Sequence, residues 1–309
     1  MIIVTGGAGF IGSNLIRQYN LKGYNNFLIV DNLNKKFKRD NLKKLKFSKI
    51  ISKNKFREKI KKNNFRNKIR AIYHLGANTN TINKDKNFLI DNNFKYSVEI
   101  LNLALKNNCK FLYASSMSVY GRSKIFLEVP KNEKPINYYS KSKLLFDNYV
   151  RKTISLNNKC KIIGLRFFNV FGSGERHKKK MASSIYQFYQ ENKKHKSITL
   201  FKYSKKKISR DFIYIDDCIK ICIWLEKKYN KSIILNVGSG VSTTYIEIAQ
   251  QIINIMKFGN LKFIEIPNYL KKQYQFYSRA NIKNLRQIGY KYKFTNIRIA
   301  IKEYIKKLK

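Results

Sequence analysis

The sequence predicts an α/β fold built on a doubly wound parallel sheet. Three observations carry this expectation. A strand, a glycine turn and a helix start follow one another within the first twenty residues, apolar strand-like runs recur with helical stretches between them, and 309 residues with three prolines contain no low-complexity linker. Ile2-Ile3-Val4 is a continuous apolar run of the kind a strand buried on both faces needs. It leads into Thr5-Gly6-Gly7-Ala8-Gly9-Phe10-Ile11-Gly12. Glycines at 6, 9 and 12 suit a tight turn, close backbone approach to a pyrophosphate and helix-on-sheet packing. A helix from Phe10 to about Tyr19 would aim its positive end at that phosphate. Asp31 ends the next apolar run, Phe27–Val30, where it can meet a ribose hydroxyl. The expected sheet is therefore of the dinucleotide-binding, Rossmann type.

Further strands are expected at Ala71–His74, Lys110–Ala114, Ile162–Arg166 and Ile233–Val237. Asn92–Lys106 has helical spacing, with Phe94, Val98, Leu101 and Leu105 on one face. Gly238-Ser239-Gly240 precedes a helix opened at Thr243. Residues 1–170 plus about 211–240 read as a dinucleotide-binding domain. Residues 171–210 plus 241–309 read as a smaller α/β substrate-binding lobe closing over the carboxyl edge of the sheet.

The net charge of +47 invites a nucleic-acid reading. The lysines, however, run from Lys35 to Lys309 and come with abundant Asn, Ile, Phe and Tyr, all encoded by A/T-rich codons. Composition bias explains the whole set, so no specific nucleic-acid partner is expected, only nonspecific attraction to polyanions. Lys35–Lys68 is the densest run and the one stretch where the basic reading keeps force. No apolar run approaches the ~18 residues a membrane span requires. Met1-Ile2-Ile3-Val4 has no basic leader, and a cytoplasmic protein without membrane contact is expected. Cys109, Cys160, Cys218 and Cys222 are scattered, as reduced thiols would be. Cys218 and Cys222 can share a helix face but have no third ligand nearby, so no metal is expected.

The chemistry is expected from three groups at the sheet edge. Ser115-Ser116 ends the fourth strand, and Tyr139-Ser140-Lys141-Ser142-Lys143 opens a helix. Tyrosine and lysine four residues apart share a helical face. There an ammonium can favour the tyrosinate, and the phenolate can take a proton from an alcohol while hydride leaves for a nicotinamide. Ser116 would hydrogen-bond the same oxygen.

Here the chain resembles the extended short-chain dehydrogenase/reductase superfamily and, within it, the sugar-nucleotide epimerases. Thr5–Gly12, Ser115–Gly121, Tyr139-x-x-x-Lys143, Arg166–Gly172 and Arg210–Asp217 carry the match. Met1–Asn14, Asp91–Ser97, Glu133–Asn137, His177-Lys178 with Met181-Ala182-Ser183, Tyr274-Gln275 and Ala280–Arg286 narrow it to the ADP-heptose 6-epimerases. The resemblance implies inversion of an exocyclic secondary alcohol by oxidation to a ketone and return of hydride to the other face. Tyr139 would serve one face and Lys178 the other, although Lys178-Lys179-Lys180 read locally is a solvated charge run. NADP is implied as a tightly bound cofactor. Gly6, Gly9, Phe10, Ile11 and Gly12 would hold it with Asp31, Asn32, Lys38 and Lys53. Leu75-Gly76-Ala77-Asn78-Thr79, Asn92, Tyr139, Lys143, Val170 and Lys178 would line its remaining length. Asp31 alone favours NAD, whereas Asn32, Lys38 and Lys53 accommodate a 2′-phosphate.

The ADP-heptose substrate would lie against Ser116, Asn169, Lys180, Phe201, Lys202, Tyr203, Ser204, Arg210 and Tyr274. Arg210 can grip a pyrophosphate in bidentate fashion or form a structural pair with Asp211. A homopentamer is the implied assembly. Ser140, Lys141, Lys180 and Asp217 depart from the family pattern without removing a required group. Met117-Ser118 after Ser116 lack the acidic pair of 4,6-dehydratases. A UDP-hexose 4-epimerase is the alternative, disfavoured by His177-Lys178 and the tail motifs.

Overall fold

The structure, a computed structural model, describes residues 1–34, 36–63, 65, 68–156, 159–202, 208–268 and 275–308. β1 (Ile2–Thr5), β2 (Phe27–Val30), β3 (Lys49–Ile51), β4 (Ala71–His74), β5 (Lys110–Ser116) and β6 (Ile162–Phe167) form a parallel sheet with the later strand β10 (Ile233–Val237). Among the described residues the order is β10-β6-β5-β4-β1-β2-β3, so the chain reverses direction across the sheet between β1 and β4. In doubly wound sheets that reversal opens a crevice beyond the carboxyl ends of the strands, where ligands bind.

Successive side chains of a strand point to opposite faces, and each face here has its own core. Ile2 and Val4 of β1 enter one, with α1 (Phe10–Asn20) and α8 (Ile215–Lys228). Ile3 enters the other, with α3 (Lys53–Lys61), α5 (Tyr96–Lys106) and α6 (Tyr138–Leu156). The doubly wound parallel sheet expected from the sequence is what forms.

Three local features differ from expectation. α2 (Lys36–Leu42), β3 and α3 occupy much of the lysine-rich run, with Ile51 and Phe56 buried, so this stretch supplies the sheet's outer edge. The helix expected over 92–106 begins instead as a wider π-turn, Ile90–Lys95, before α5. The helix expected to open at Thr243 is capped by Thr244 instead, because Ser242–Thr244 pair as a short strand first.

Over the carboxyl edge, β7 (Asn169–Phe171), β9 (Ser209–Tyr214) and β11 (Ser242–Thr244) form one small sheet, while β8 (Ser197–Phe201) pairs with β12 (Asn260–Ile264). α7 (Ser184–His195), α9 (Tyr245–Met256), α10 (Lys283–Gln287) and α11 (Ile297–Lys306) pack around them. α9 starts with a reciprocal capping box between Thr244 and Glu247. Buried residues of α9 and α11 join the same core as α1 and α8, which couples the upper layer to the sheet.

Candidate active site

The glycine turn follows β1 at the crevice. Gly6 has φ +70°, a left-handed conformation that glycine adopts freely, and a Cβ there would lie 2.7 Å from the Gly76 backbone. A Cβ on Gly12 would lie 2.3 Å from the Gly6 carbonyl oxygen. Gly9 caps α1 with no side-chain hydrogen bond, and the first turn carries no acidic residue. The first-turn amides of Phe10 and Ile11 are thereby left for an external anion, as a pyrophosphate-binding turn requires. The residues present fit a dinucleotide.

Beside the turn, the Asp31 carboxylate accepts from the Ala8 amide at 2.9 Å, the Asn32 amide at 2.7 Å and Lys38 Nζ at 2.5 Å. Lys53 Nζ donates to Asn92 Oδ1 at 2.9 Å and sits 4.9 Å over the Tyr96 ring. Leu75 to Asn78 are half-buried after β4, whereas Thr79 is exposed. The π-turn directs two consecutive asparagines inward. Asn92 meets Lys53, and the buried Asn93 accepts from the Asn78 amide at 2.9 Å while donating to the Asn78 carbonyl at 3.0 Å and Ser142 Oγ at 3.2 Å. Sequence reasoning named Asn92 and missed Asn93. Its position one residue further on, in a turn wider than an α-helix, is what hid it.

Tyr139 and Lys143 lie on the buried face of α6, against the end of β5. Lys143 Nζ donates to the Ala114 carbonyl at 2.7 Å. Burial pushes its ammonium down to about 8, with Asp147 opposing. The Tyr139 phenol hydrogen-bonds with Ser116, but burial raises its pKa, and Ser116 is the group that opposes the rise. The expected lowering of Tyr139 by Lys143 is thus not seen in this arrangement. The ammonium is committed to a carbonyl, and desolvation of the phenolate dominates.

α6 is held in register by a buried charge cluster that sequence reasoning also missed. Asp147 accepts from Tyr113 at 2.9 Å, Ser115 at 3.0 Å and Arg166 at 2.8 and 3.0 Å, and Arg166 also pairs with Glu133 at 2.5 Å. Asp147 follows Lys143 by four residues, so one helical face carries Tyr139, Lys143 and the anchor of the helix.

Lys178 is separated from the charge run in which it sits. Lys179 and Lys180 are exposed, while Lys178 is half-buried with Nζ 5.6 Å over the Phe10 ring of the glycine turn. The kink at Lys179 (φ +51°) turns the chain away after it. Asn169 Nδ2 donates to the Asp211 carbonyl at 2.8 Å, and Val170 is buried beside it in β7. Arg210 is buried in β9 with its guanidinium 6.0 Å over the Tyr245 ring. The Asp211 carboxylate accepts from the amides of Ser239, Gly240 and Ala280 at 2.8–2.9 Å. Phe201 ends β8, and Lys202 follows it, exposed. Tyr203, Ser204 and Tyr274 lie outside the described residues.

The sheet order, the glycine turn and the Ser116–Tyr139–Lys143 constellation define a nicotinamide-dependent α/β enzyme. Residues 2–238 match the family described as "NAD dependent epimerase/dehydratase family", and the chain belongs to it. A protein of Brachyspira hyodysenteriae named ADP-L-glycero-D-manno-heptose-6-epimerase is 38% identical, covering 98% of this chain and 96% of that protein. The crystal structure of the Helicobacter pylori protein of the same name superimposes with a TM-score of 0.85 at 27% identity, covering 99% and 95% of the two chains. A UDP-N-acetylglucosamine 4-epimerase of Methanobrevibacter ruminantium gives the same TM-score of 0.85 at 25% identity, covering 99% and 96%. The chain is an enzyme of the epimerase class. Among the described residues no helix is long and apolar enough to cross a membrane.

Proposed function

We propose that this enzyme inverts carbon 6 of ADP-D-glycero-β-D-manno-heptose to the L-glycero epimer, supplying heptose for the lipopolysaccharide inner core, with NADP bound along the glycine turn. The observation that carries the reading is the pairing of 38% identity over 98% of this chain to a protein of that name with two separate titratable side chains at one sheet edge. Tyr139 comes from α6 beside Ser116, and Lys178 comes from the segment between β7 and α7, against Phe10. The C6–H bond is not acidic, so deprotonation alone does not epimerise it. The bound nicotinamide supplies a hydride acceptor and then a donor. As the phenolate, Tyr139 takes the C6 hydroxyl proton with Ser116 on the same oxygen, the Lys178 ammonium delivers a proton when the ketone is reduced from its other face, and proton exchange with solvent after product release restores both groups. Lys143 holds α6 against β5 through Ala114 and keeps a positive charge near the nucleotide.

Two features support NADP over NAD. Lys38 neutralises Asp31, which removes the anion that would repel a 2′-phosphate, and Asn32 stands next to it. Arg210, Asn169 and the lobe of residues 171–210 plus 241–309 would hold the ADP-sugar over the sheet domain, in a cytoplasmic homopentamer. A fold match alone does not choose the sugar, because a 4-epimerase superimposes equally well. Incubation with ADP-D-glycero-D-manno-heptose, followed by NMR of the product at carbon 6, tests the proposal. Inversion there and none of UDP-glucose at carbon 4 is the expected result. A folded, cofactor-loaded enzyme that leaves carbon 6 unchanged refutes it. Nucleotide released from the purified protein identifies NADP or NAD, and light scattering gives the assembly.

A further inference from the structure

Lys178 is carried on a strap, residues 172–183, that runs from β7 to α7, and the strap is organised around one buried acid. Glu175 is 0% exposed and receives four hydrogen bonds. Its Oε1 accepts from the Gly172 amide at 3.2 Å, Ser183 Oγ at 2.8 Å and the Tyr304 hydroxyl at 3.0 Å, and its Oε2 accepts from the Ser183 amide at 2.5 Å. Ser183 Oγ also accepts from the Tyr186 amide at 3.2 Å as the cap of α7, which leaves its own proton for Glu175. Two of the four are backbone amides, which can only donate, and each carboxyl oxygen receives one of them. Burial raises the Glu175 carboxyl, and Lys178 with these donors opposes the rise in favour of the carboxylate.

The strap is tied at its other side to the dinucleotide edge. Asn14 Nδ2 donates to the Ser173 carbonyl at 2.8 Å, and Asn41 Nδ2 to the Gly174 carbonyl at 3.0 Å. The Lys178 amide then donates to the Glu175 carbonyl at 2.9 Å, one tight turn later, and its ammonium reaches Phe10. Of the groups around it, Arg176 and Lys179 are exposed and Tyr186 of α7 and Tyr304 of α11 are phenols. Asp31 is paired with Lys38. His177 is pushed down to about 4 by burial and is neutral near pH 7. Among the described residues Glu175 is the anion left to act on Lys178. Burial lowers the Lys178 ammonium, and Glu175 is the charge that opposes it.

We propose that Glu175 is the positioning residue of the second acid/base group. Its buried carboxylate fixes the strap through Gly172, Ser183 and Tyr304 and keeps the Lys178 ammonium charged beside the glycine turn. The proposal rests on Lys178 being that second group, and the test separates the two claims. The cofactor-loaded enzyme and its Glu175→Gln, Glu175→Asp and Lys178→Met variants are compared by pH profile of C6 epimerisation, cofactor content and thermal melting.

Glu175→Gln keeps the shape and removes the charge. It is expected to lower turnover at neutral pH by roughly 10-fold and to move the alkaline limb, where Lys178 loses its proton, down by about 1 pH unit. Its cofactor content is expected to be unchanged. Glu175→Asp keeps the charge on a shorter arm. It is expected to lower turnover by roughly 5-fold with the limb unmoved, and it carries the test if the Gln variant does not fold. A Gln variant with the wild-type pH profile, whatever its rate, overturns the role of Glu175, as does an Asp variant with wild-type turnover. Wild-type turnover in Lys178→Met overturns the acid/base assignment beneath it. An inactive Lys178→Met beside an unchanged Glu175→Gln overturns the positioning role alone.

Discussion

His74 gives a prediction whose size follows from its surroundings. It ends β4 with 2% of its surface exposed, between the glycine turn and the π-turn. Ser97 Oγ donates to the Asn93 carbonyl at 2.7 Å, so toward His74, 2.8 Å away, it accepts. Nε2 therefore carries the ring hydrogen. Nδ1 is then the acceptor, and Thr5 Oγ1 donates to it at 2.7 Å while accepting the Gly76 amide at 3.2 Å. Both ring nitrogens are used by the neutral form, and burial, with Lys143 and Lys53 nearby, pushes the pKa from 6.5 to about 3.

A histidine lowered on folding leaves the unfolded chain holding the extra proton between those two values. Its contribution is therefore complete above about pH 6.5 and is lost as pH falls toward 3. At pH 5 that shift is worth about 2 kcal/mol relative to pH 8. His74→Gln removes the titration while keeping a donor and an acceptor. Urea unfolding of both proteins at pH 8 and pH 5 checks the argument. Wild type should lose about 2 kcal/mol more than the variant between the two pH values, because the other titrating groups, His177 included, are common to both. Equal losses would refute a neutral, locked ring.

Gly12→Ala places a Cβ 2.3 Å from the Gly6 carbonyl oxygen and 2.8 Å from Gly7 Cα, so the turn must shift. A folded protein retaining less than about a tenth of the wild-type bound nucleotide is expected, read from nucleotide released on denaturation; full loading would show that the close approach is dispensable. Asp147→Ala leaves the 0%-exposed Arg166 without its main partner, and a loss of about 3–5 kcal/mol in urea unfolding is expected. A loss below about 1 kcal/mol would mean that Glu133 suffices to hold the guanidinium.

What was legible in the sequence was what local periodicity encodes. A strand buried on both faces is a short apolar run, and Ile2–Thr5, Phe27–Val30 and Ala71–His74 form strands where such runs stand. Gly6, Gly12, Tyr139 and Lys143 have fixed spacings because a turn and one helical face demand them. β3 was hidden because Lys49–Ile51 is an edge strand with one exposed and one half-buried residue, inside a lysine-rich run. Lys178 could not be told from Lys179 and Lys180 by residue type. A 3₁₀ turn and a positive φ at Lys179 separate them, and neither leaves a sequence signature. The partners of Asp147 and Glu175 lie up to 34 and 129 residues away, beyond any local window.

The excess of lysine makes the carboxylates the more informative charges. With 65 basic and 18 acidic residues, a lysine at a given surface position says little, whereas a buried Asp or Glu needs donors to be tolerated at all. Asp147, Glu175, Asp211, Asp217 and Glu226 are all buried, and each joins elements distant in sequence. Asp147 binds α6 to β5 and β6. Asp211 gathers the amides of Ser239, Gly240 and Ala280 under the upper layer. Asp217 accepts the Thr295 amide at 2.6 Å at the approach to α11, and Glu226 takes Arg70 and Tyr19 across the sheet's lower end. Glu175 belongs to this set by its donors, and like Asp147, one turn from Lys143, it has an acid/base candidate one turn away. The charge that a composition count would dismiss as scarce is thus what fixes α6 and the strap around the crevice.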